Sequence, residues 1–165
     1  MSTLTRASET GHKAEQYCTF WVAGLYFGVD VDNVQEVLRH QPMTPVPRAH
    51  TAVRGLINLR GQIVTALDLR GRLGLPARPD DSLPMNVIVR SRGEVISLLV
   101  DDIGDVIDAE QPGDLGMEPP PSNLRQEIQE VVIGVRPLAD SILLVLDADR
   151  AVDVTTALDT TGGAL

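Results

Sequence analysis

A chain of 165 residues has room for one ordinary domain or two very small units sharing a core, and its apolar fraction of 43% is that of a folded globular protein. A formal net charge of −9 argues against a phosphate-binding surface, because nucleic-acid affinity rests largely on Lys and Arg neutralising the backbone. Aromatic residues make up only 3%, which leaves no stacking platform for bases.

Residues 1–15 are rich in Ser, Thr, Glu and Lys without periodicity, which predicts a disordered lead-in. From Tyr17 to Ala23 the chain is β-prone, Gly24 permits a turn, and Leu25 to Val29 complete a first hairpin holding most of the aromatics. Trp21 and Tyr26 are expected in core or rim packing. Asp30 can cap a helix whose apolar positions Val31, Val34, Val37 and Leu38 recur at three to four. Pro42, Pro45 and Pro47 then force an extended connection from His40 to His50, suited to a sheet edge.

The most informative stretch runs from Val53 to Arg70. Gly55 and Gly61 bracket a short apolar run, and Ile63 and Val64 open another that ends in Asp68 and Arg70. Asn58-Leu59-Arg60-Gly61 has the composition of a hairpin tip and places Arg60 on the shoulder of the turn. There its planar guanidinium can meet a carboxylate or a backbone carbonyl, or it can brace two packed units through hydrogen bonds. Arg54 and Arg70 read as ordinary solvated charges. Leu67 to Leu73 predicts one or two helical turns ended by Gly74.

Pro76 to Pro84 reads as the loop between two halves. Beyond it, Asn86–Arg90 and Glu94–Val100 flank Ser91-Arg92-Gly93, which has hairpin-turn chemistry, and Asp101–Ile107 continues as a strand bent at Gly104. The proline-rich loop from Ala109 to Asn123 belongs on the surface. Gln129–Val135 and Ser141–Leu146 are the last strands, with Pro137 and Asp140 in the turn between them. Asp147 starts a short helix, and the tail frays.

Chemistry is scarce. The three His lie in no metal-ligand spacing, Cys18 sits in an apolar strand pattern, and Asp101, Asp102 and Asp105 do not have the spacing of a calcium loop. With no phosphate loop, nucleophile elbow or dinucleotide fingerprint, neither an enzyme nor a cofactor or metal is expected. The lone cysteine, the absence of a signal-peptide core in residues 1–16, and a longest apolar run of Ile142–Leu146 together predict a cytoplasmic protein.

The Val53–Arg70 stretch resembles the signature of the CheW family, adaptors that couple chemoreceptors to the histidine kinase CheA. Val29–Leu38 and Leu98–Ile107 are similar to two further segments of that family, and the likeness spans roughly residues 16–150. The resemblance implies a mainly β fold of two small five-stranded SH3-like barrels packed side by side with few short helices. The first barrel falls at about 16–82 and the second at about 83–150, with a short helix and frayed tail over 151–165. It implies a non-catalytic scaffold in chemotaxis signalling, recruited to membrane receptor arrays. Its partners would be the CheW-like domain of a CheA-type kinase and the helical cytoplasmic tip of a receptor, without nucleic acid. Carried over by position, Val34, Glu36, Gly55 and Arg60 would face the receptor, and Leu38, Met43 and Val46 the kinase. Thr65 stands where the family commonly has proline, and Pro119-Pro120-Pro121 has no clear counterpart. Alternatives are an adaptor of a non-flagellar pathway such as pilus motility, and, from a different class, a small nucleic-acid-binding barrel.

Overall fold

The structure, a computed structural model, describes residues 16–47, 49–108 and 116–153. The expectations for residues 1–15, for the first part of the Ala109–Asn123 loop and for the tail fall outside these. In chain order the elements are β1 (Gln16–Val22), β2 (Leu25–Asp30), a 3-10 turn (Val31–Asn33), β3 (Val34–Leu38), β4 (Val53–Leu59), β5 (Gln62–Asp68) and α1 (Leu69–Arg72). They continue as β6 (Met85–Ser91), β7 (Glu94–Val100), β8 (Asp102–Asp108), α2 (Gln126–Gln129), β9 (Val132–Pro137), β10 (Ile142–Leu146) and α3 (Ala148–Val152).

The strands form two five-stranded sheets, as expected, ordered β8-β1-β2-β10-β9 and β3-β6-β7-β5-β4. The expected division of the chain between them does not hold. Each sheet draws strands from both sides of residue 82, so no single cut gives a first barrel at 16–82 and a second at 83–150. The β1–β2 hairpin pairs with β8 and, in parallel, with β10; the β6–β7 hairpin pairs with β3 and, in parallel, with β5. Each half of the chain thus lends its hairpin to the strands of the other.

The two sheets repeat one plan rung for rung. Leu56↔Thr65, Gly55↔Ala66 and Val53↔Leu67 in β4–β5 correspond to Val135↔Leu144, Gly134↔Val145 and Val132↔Leu146 in β9–β10, with a register shift at the same place. The turns Ala23-Gly24 and Arg92-Gly93 are equivalent, with φ of 51° and 82° against 53° and 82°. Such paired positive angles match the right-handed twist of a hairpin. Val34↔Val89 and Val37↔Val87 correspond likewise to Ile103↔Phe20 and Val106↔Cys18. Asp68 and Asp147, at equivalent positions, cap α1 and α3 by accepting from Arg70 N and Asp149 N.

The helix expected from Asp30 to Leu38 is a single 3-10 turn leading into a strand. Asp30 does accept from Asp32 N at 2.9 Å, but the chain then pairs with β6. Valines at 31, 34 and 37 prefer the pleated surface. Val34 packs on the central core while Leu38 packs on the inner cluster of its own sheet, because the register shift between Val34 and Glu36 breaks the strand alternation, and the apolar spacing therefore looks helical. Gln129, expected in a strand, closes α2 instead.

Three apolar clusters result. The central one joins the sheets through Phe20, Val22, Phe27 and Val29 of one and Leu67, Val87, Leu98 and Val100 of the other. Ile57, Leu59, Val64, Ala66, Ile88 and Leu99 form a second cluster within the β3–β7 sheet, and Tyr17, Leu143 and Val145 a third within the other. Cys18 is buried, and burial pushes its thiol up from the ordinary value.

One polar hub ties these parts together. Arg70, expected to be solvated, has a side chain only 15% exposed and grips Asp101 with Nε–Oδ1 at 3.0 Å and Nη2–Oδ2 at 2.6 Å. Arg78, from the inter-half loop, donates to Asp101 at 2.9 Å and to Asp68 at 3.2 Å, and Ala23 N in the β1–β2 turn donates to Asp101 Oδ2 at 2.7 Å. Burial pushes the Asp101 carboxyl up, but Arg70, the Ala23 amide and Arg78 outweigh it and hold the group below its ordinary value. A depressed folded-state value supplies stability that is present in full above the unfolded-state value and is lost as pH falls through the folded one. Asp101→Asn, which takes the carboxylate from Arg70 and one of the two from Arg78, should cost roughly 3 kcal/mol at neutral pH. Its deficit against the parent should shrink in urea titrations repeated near about pH 3; an equal deficit at both pH values would contradict this account.

Candidate functional site

The β4–β5 tip is a two-residue turn in which Arg60 and Gly61 take φ of 53° and 88°. Gly61 N donates to Asn58 Oδ1 at 2.8 Å, which fixes the turn and leaves the Arg60 side chain 66% exposed. Arg60 Nη2 makes a close ion pair with Glu36 Oε2 on β3. These residues belong to opposite edges of one sheet, since β3 and β4 are its outermost strands. Arg60 therefore does not bridge the two sheets. It draws the rims of one curled sheet together over the Ile57–Leu99 cluster, on which Leu38 and Met43 also pack. The hydrogen bond from Arg60 holds the Glu36 carboxyl below its ordinary value and raises the guanidinium, so both stay charged at neutral pH. Solvent screens the pair, so its contribution is orientation more than stability.

The row continues along the rim. Gln35 donates to Glu36 Oε2 at 3.3 Å, and its own carbonyl oxygen accepts from Arg90 Nε on β6 at 2.9 Å. Arg60, Glu36, Gln35 and Arg90 thus form one chain of contacts across the end of the sheet. Sequence reasoning missed Gln35 and Arg90, because their meeting depends on the β3–β6 register. It also missed Ile63, 61% exposed beside the tip, although Val64 and Ala66 pointing inward would have placed it outward by strand alternation.

The other expected residues fall into two kinds. Gly55 is buried, and a Cβ there would lie 2.6 Å from the Thr44 carbonyl oxygen, so its role is to admit the proline-rich segment. Thr44 bridges Leu56 in both directions at 2.8 Å, confirming the extended edge expected for that segment. Val34 is half-buried against the central core. Leu38 and Met43 are half-buried against the sheet's own cluster, and Val46 alone of the three expected to face a kinase is exposed. The seven positions are thus not one surface: Glu36 and Arg60 meet, Gly55 and Met43 meet, and Val46 lies beyond the Thr44 bridge. At the equivalent corner of the other sheet, Trp21 stacks on Tyr26 at 4.9 Å beside Ile142 in an apolar groove of about 590 Å³. Among the described residues no group of His, Cys, Asp or Glu could hold a metal.

Comparison with known proteins gives a consistent result. The sequence matches the family described as CheW-like domain over residues 16–155. "Chemotaxis protein CheW" of Bacillus subtilis is 26% identical over 150 residues, covering 91% of this chain and 92% of that protein. The protein of the same description from Rhizobium meliloti is 33% identical over 88 residues, covering 53% of this chain and 57% of the relative. The crystal structure of scaffolding protein TtCheW from Thermoanaerobacter tengcongensis superposes with a TM-score of 0.73 at 26% identity, covering 86% of this chain and 94% of that one.

The packing separates two substitutions that sequence treats alike. Met43→Glu inserts a charge against an apolar cluster and should cost roughly 2 kcal/mol or more. Val46→Glu should stay within about 0.5 kcal/mol of the parent. Chemical unfolding curves of the two variants give the comparison, and equal losses would refute the packing described.

Proposed function

This chain belongs to the CheW-like domain family, and on that premise we propose that it is a non-catalytic adaptor that couples chemoreceptors to a CheA-type histidine kinase. The kinase's own CheW-like domain docks on the side of Val46, where the proline-rich segment runs along the edge of β4. The receptor's helical cytoplasmic tip docks at the rim carrying Arg60 and Glu36. The observation that carries this reading is the solvent-facing Arg60–Glu36 pair: a guanidinium pre-oriented on a stiff hairpin at the mouth of a curled sheet. Preorganisation of this kind lowers the ordering cost of binding.

Coupling in this reading is differential contact. The adaptor holds receptor and kinase in one geometry, so a receptor state that fits the rim better shifts the kinase population by the difference in binding free energy. Gly55 matters indirectly, because it lets Met43 and Thr44 lie against β4 and so fixes where Val46 stands relative to the rim. No described helix is long and apolar enough to cross a membrane, and in this reading membrane association comes through the receptor.

The test is binding of the isolated CheW-like domain of a CheA kinase from the same source to the parent, Val46→Glu and Arg60→Ala. The parent should bind, Val46→Glu should bind about tenfold more weakly while remaining folded, and Arg60→Ala should keep kinase binding but lose receptor-dependent control of kinase activity. A parent that binds no such domain would sink the adaptor reading.

A further inference from the structure

We propose that the Arg60–Glu36–Gln35–Arg90 row, extended by Arg92, makes the receptor-facing rim a reader of carboxylates, so that the helical partner docks with an acidic stretch against it. This deepens the adaptor reading above and rests on it.

The repeated plan supplies an internal control. If the exposed arginines of the β3–β7 sheet were needed by the fold, the equivalent rungs of the sister sheet should carry similar residues. They do not. Arg60 corresponds to Ala139, Arg90 to Trp21 and Arg92 to Ala23 by the shared register. The β1–β2 turn keeps its positive φ angles with Ala23 in place of Arg92, Trp21 holds the strand rung of Arg90, and β9 and β10 pair through Pro137↔Ile142 although their connection at Ala139 lacks the positive φ of Arg60. Exposed Arg39 and Arg54, at the far ends of the same edge strands, correspond in turn to Asp108 and Ile133. Set against Glu36, Asp32 and Glu94, the five exposed arginines leave this sheet's surface at a formal +2, in a chain whose net charge is −9.

The arginines are also held for use. Arg90 is anchored through Nε to Gln35, which leaves its Nη donors without a hydrogen-bond partner among the described residues. Glu36 offsets only one of the cations in the row, and the other exposed acids of this sheet region are Asp32 and Glu94. Guanidiniums held in this way pair with carboxylates in two-pronged geometry on contact. Ile63 beside the tip gives such a partner an apolar contact as well.

The experiment measures binding of the intact chain to the soluble cytoplasmic fragment of a chemoreceptor from the same source, at low and at physiological salt, for the parent, Arg92→Glu and the double variant Arg90→Glu/Arg92→Glu. Binding to the CheW-like domain of the kinase serves as the control arm. The expected result is parent binding that weakens with salt, and a loss on the order of tenfold or more at low salt in the double variant, with kinase-domain binding unchanged. Arg92→Glu, a single change at an exposed turn, should show part of the loss and guards against misfolding of the double variant. Salt-independent parent binding left unaltered by both substitutions would overturn this inference while the adaptor reading stood. A parent that binds neither fragment would overturn both. Equally strong, salt-sensitive binding to phosphatidylglycerol vesicles would assign the row to a lipid surface and overturn the acidic-helix reading.

Discussion

Neither half of this chain can bury its own leading hairpin. Strands β1 and β2 lie between β8 and β10, strands β6 and β7 lie between β3 and β5, and the faces of both hairpins meet in one central cluster. Every one of those four strands has apolar residues on both faces, so a separated half would expose two sides of a sheet at once. The exchange removes that problem at the cost of non-local pairing, which makes the two halves a single folding unit. The Asp101 hub sits where the exchange crosses: it joins the β1–β2 turn to α1 of the other sheet and to the loop that links the halves. Arg72 adds a second tie by donating from α1 to the last carbonyls of α3, at Ala151 O 3.2 Å and Arg150 O 3.1 Å.

Local features of this fold were readable in the sequence because they depend on backbone chemistry that few residues satisfy. Arg60-Gly61 and Arg92-Gly93 fall where the turns are, Gly74 ends α1 at φ 69°, and Gly104 lies opposite the break in β1 register at Thr19. What failed were inferences that need a partner strand. The valine spacing after Asp30 looks helical only until β6 supplies the ladder. Arg70 looks solvated only until Asp101 arrives from the other half. The division at residue 82 assumed that neighbours in sequence are neighbours in a sheet, and parallel pairing of β2 with β10 breaks that assumption. One unused signal was present: laid over each other, Val53–Leu73 and Val132–Val152 share valine at 53/132, glycine at 55/134, leucine at 59/138 and 67/146, isoleucine at 63/142 and aspartate at 68/147. That self-similarity announces two copies of one strand–turn–strand–helix unit.

The ion pairs divide by burial into two jobs. Asp68, Arg70, Arg78 and Asp101 have side chains at most 20% exposed and satisfy one another several times over, so losing any one member leaves charge stranded in a poor solvent. Arg60 and Glu36 are the reverse case: an exposed pair that water screens and that contributes little to stability. An arginine with little folding work and a fixed direction is available for binding. The candidate residues therefore sort by mechanism. Gly55, Leu38 and Met43 hold the edge in place, Gln35 orients, and Arg60, Arg90 and Val46 face outward.

Duplication within one chain separates what the fold demands from what its surface is for. Rungs that agree between the copies, such as Gly55 with Gly134, where an added Cβ would lie 2.6 Å from the carbonyl oxygens of Thr44 and Glu118 respectively, reflect a packing need that both sheets share. Rungs that disagree are relieved of that need. At the corner where one copy sets Arg90 and Arg60, the other sets Trp21 and Ala139 beside an apolar groove. Two equivalent corners of one frame, one bearing arginines and one apolar, favour unlike ligands by opposite desolvation preferences: a carboxylate is penalised in the apolar groove and an aliphatic face gains nothing from guanidiniums. The divergence of surface chemistry between the copies therefore gives a symmetric scaffold a direction.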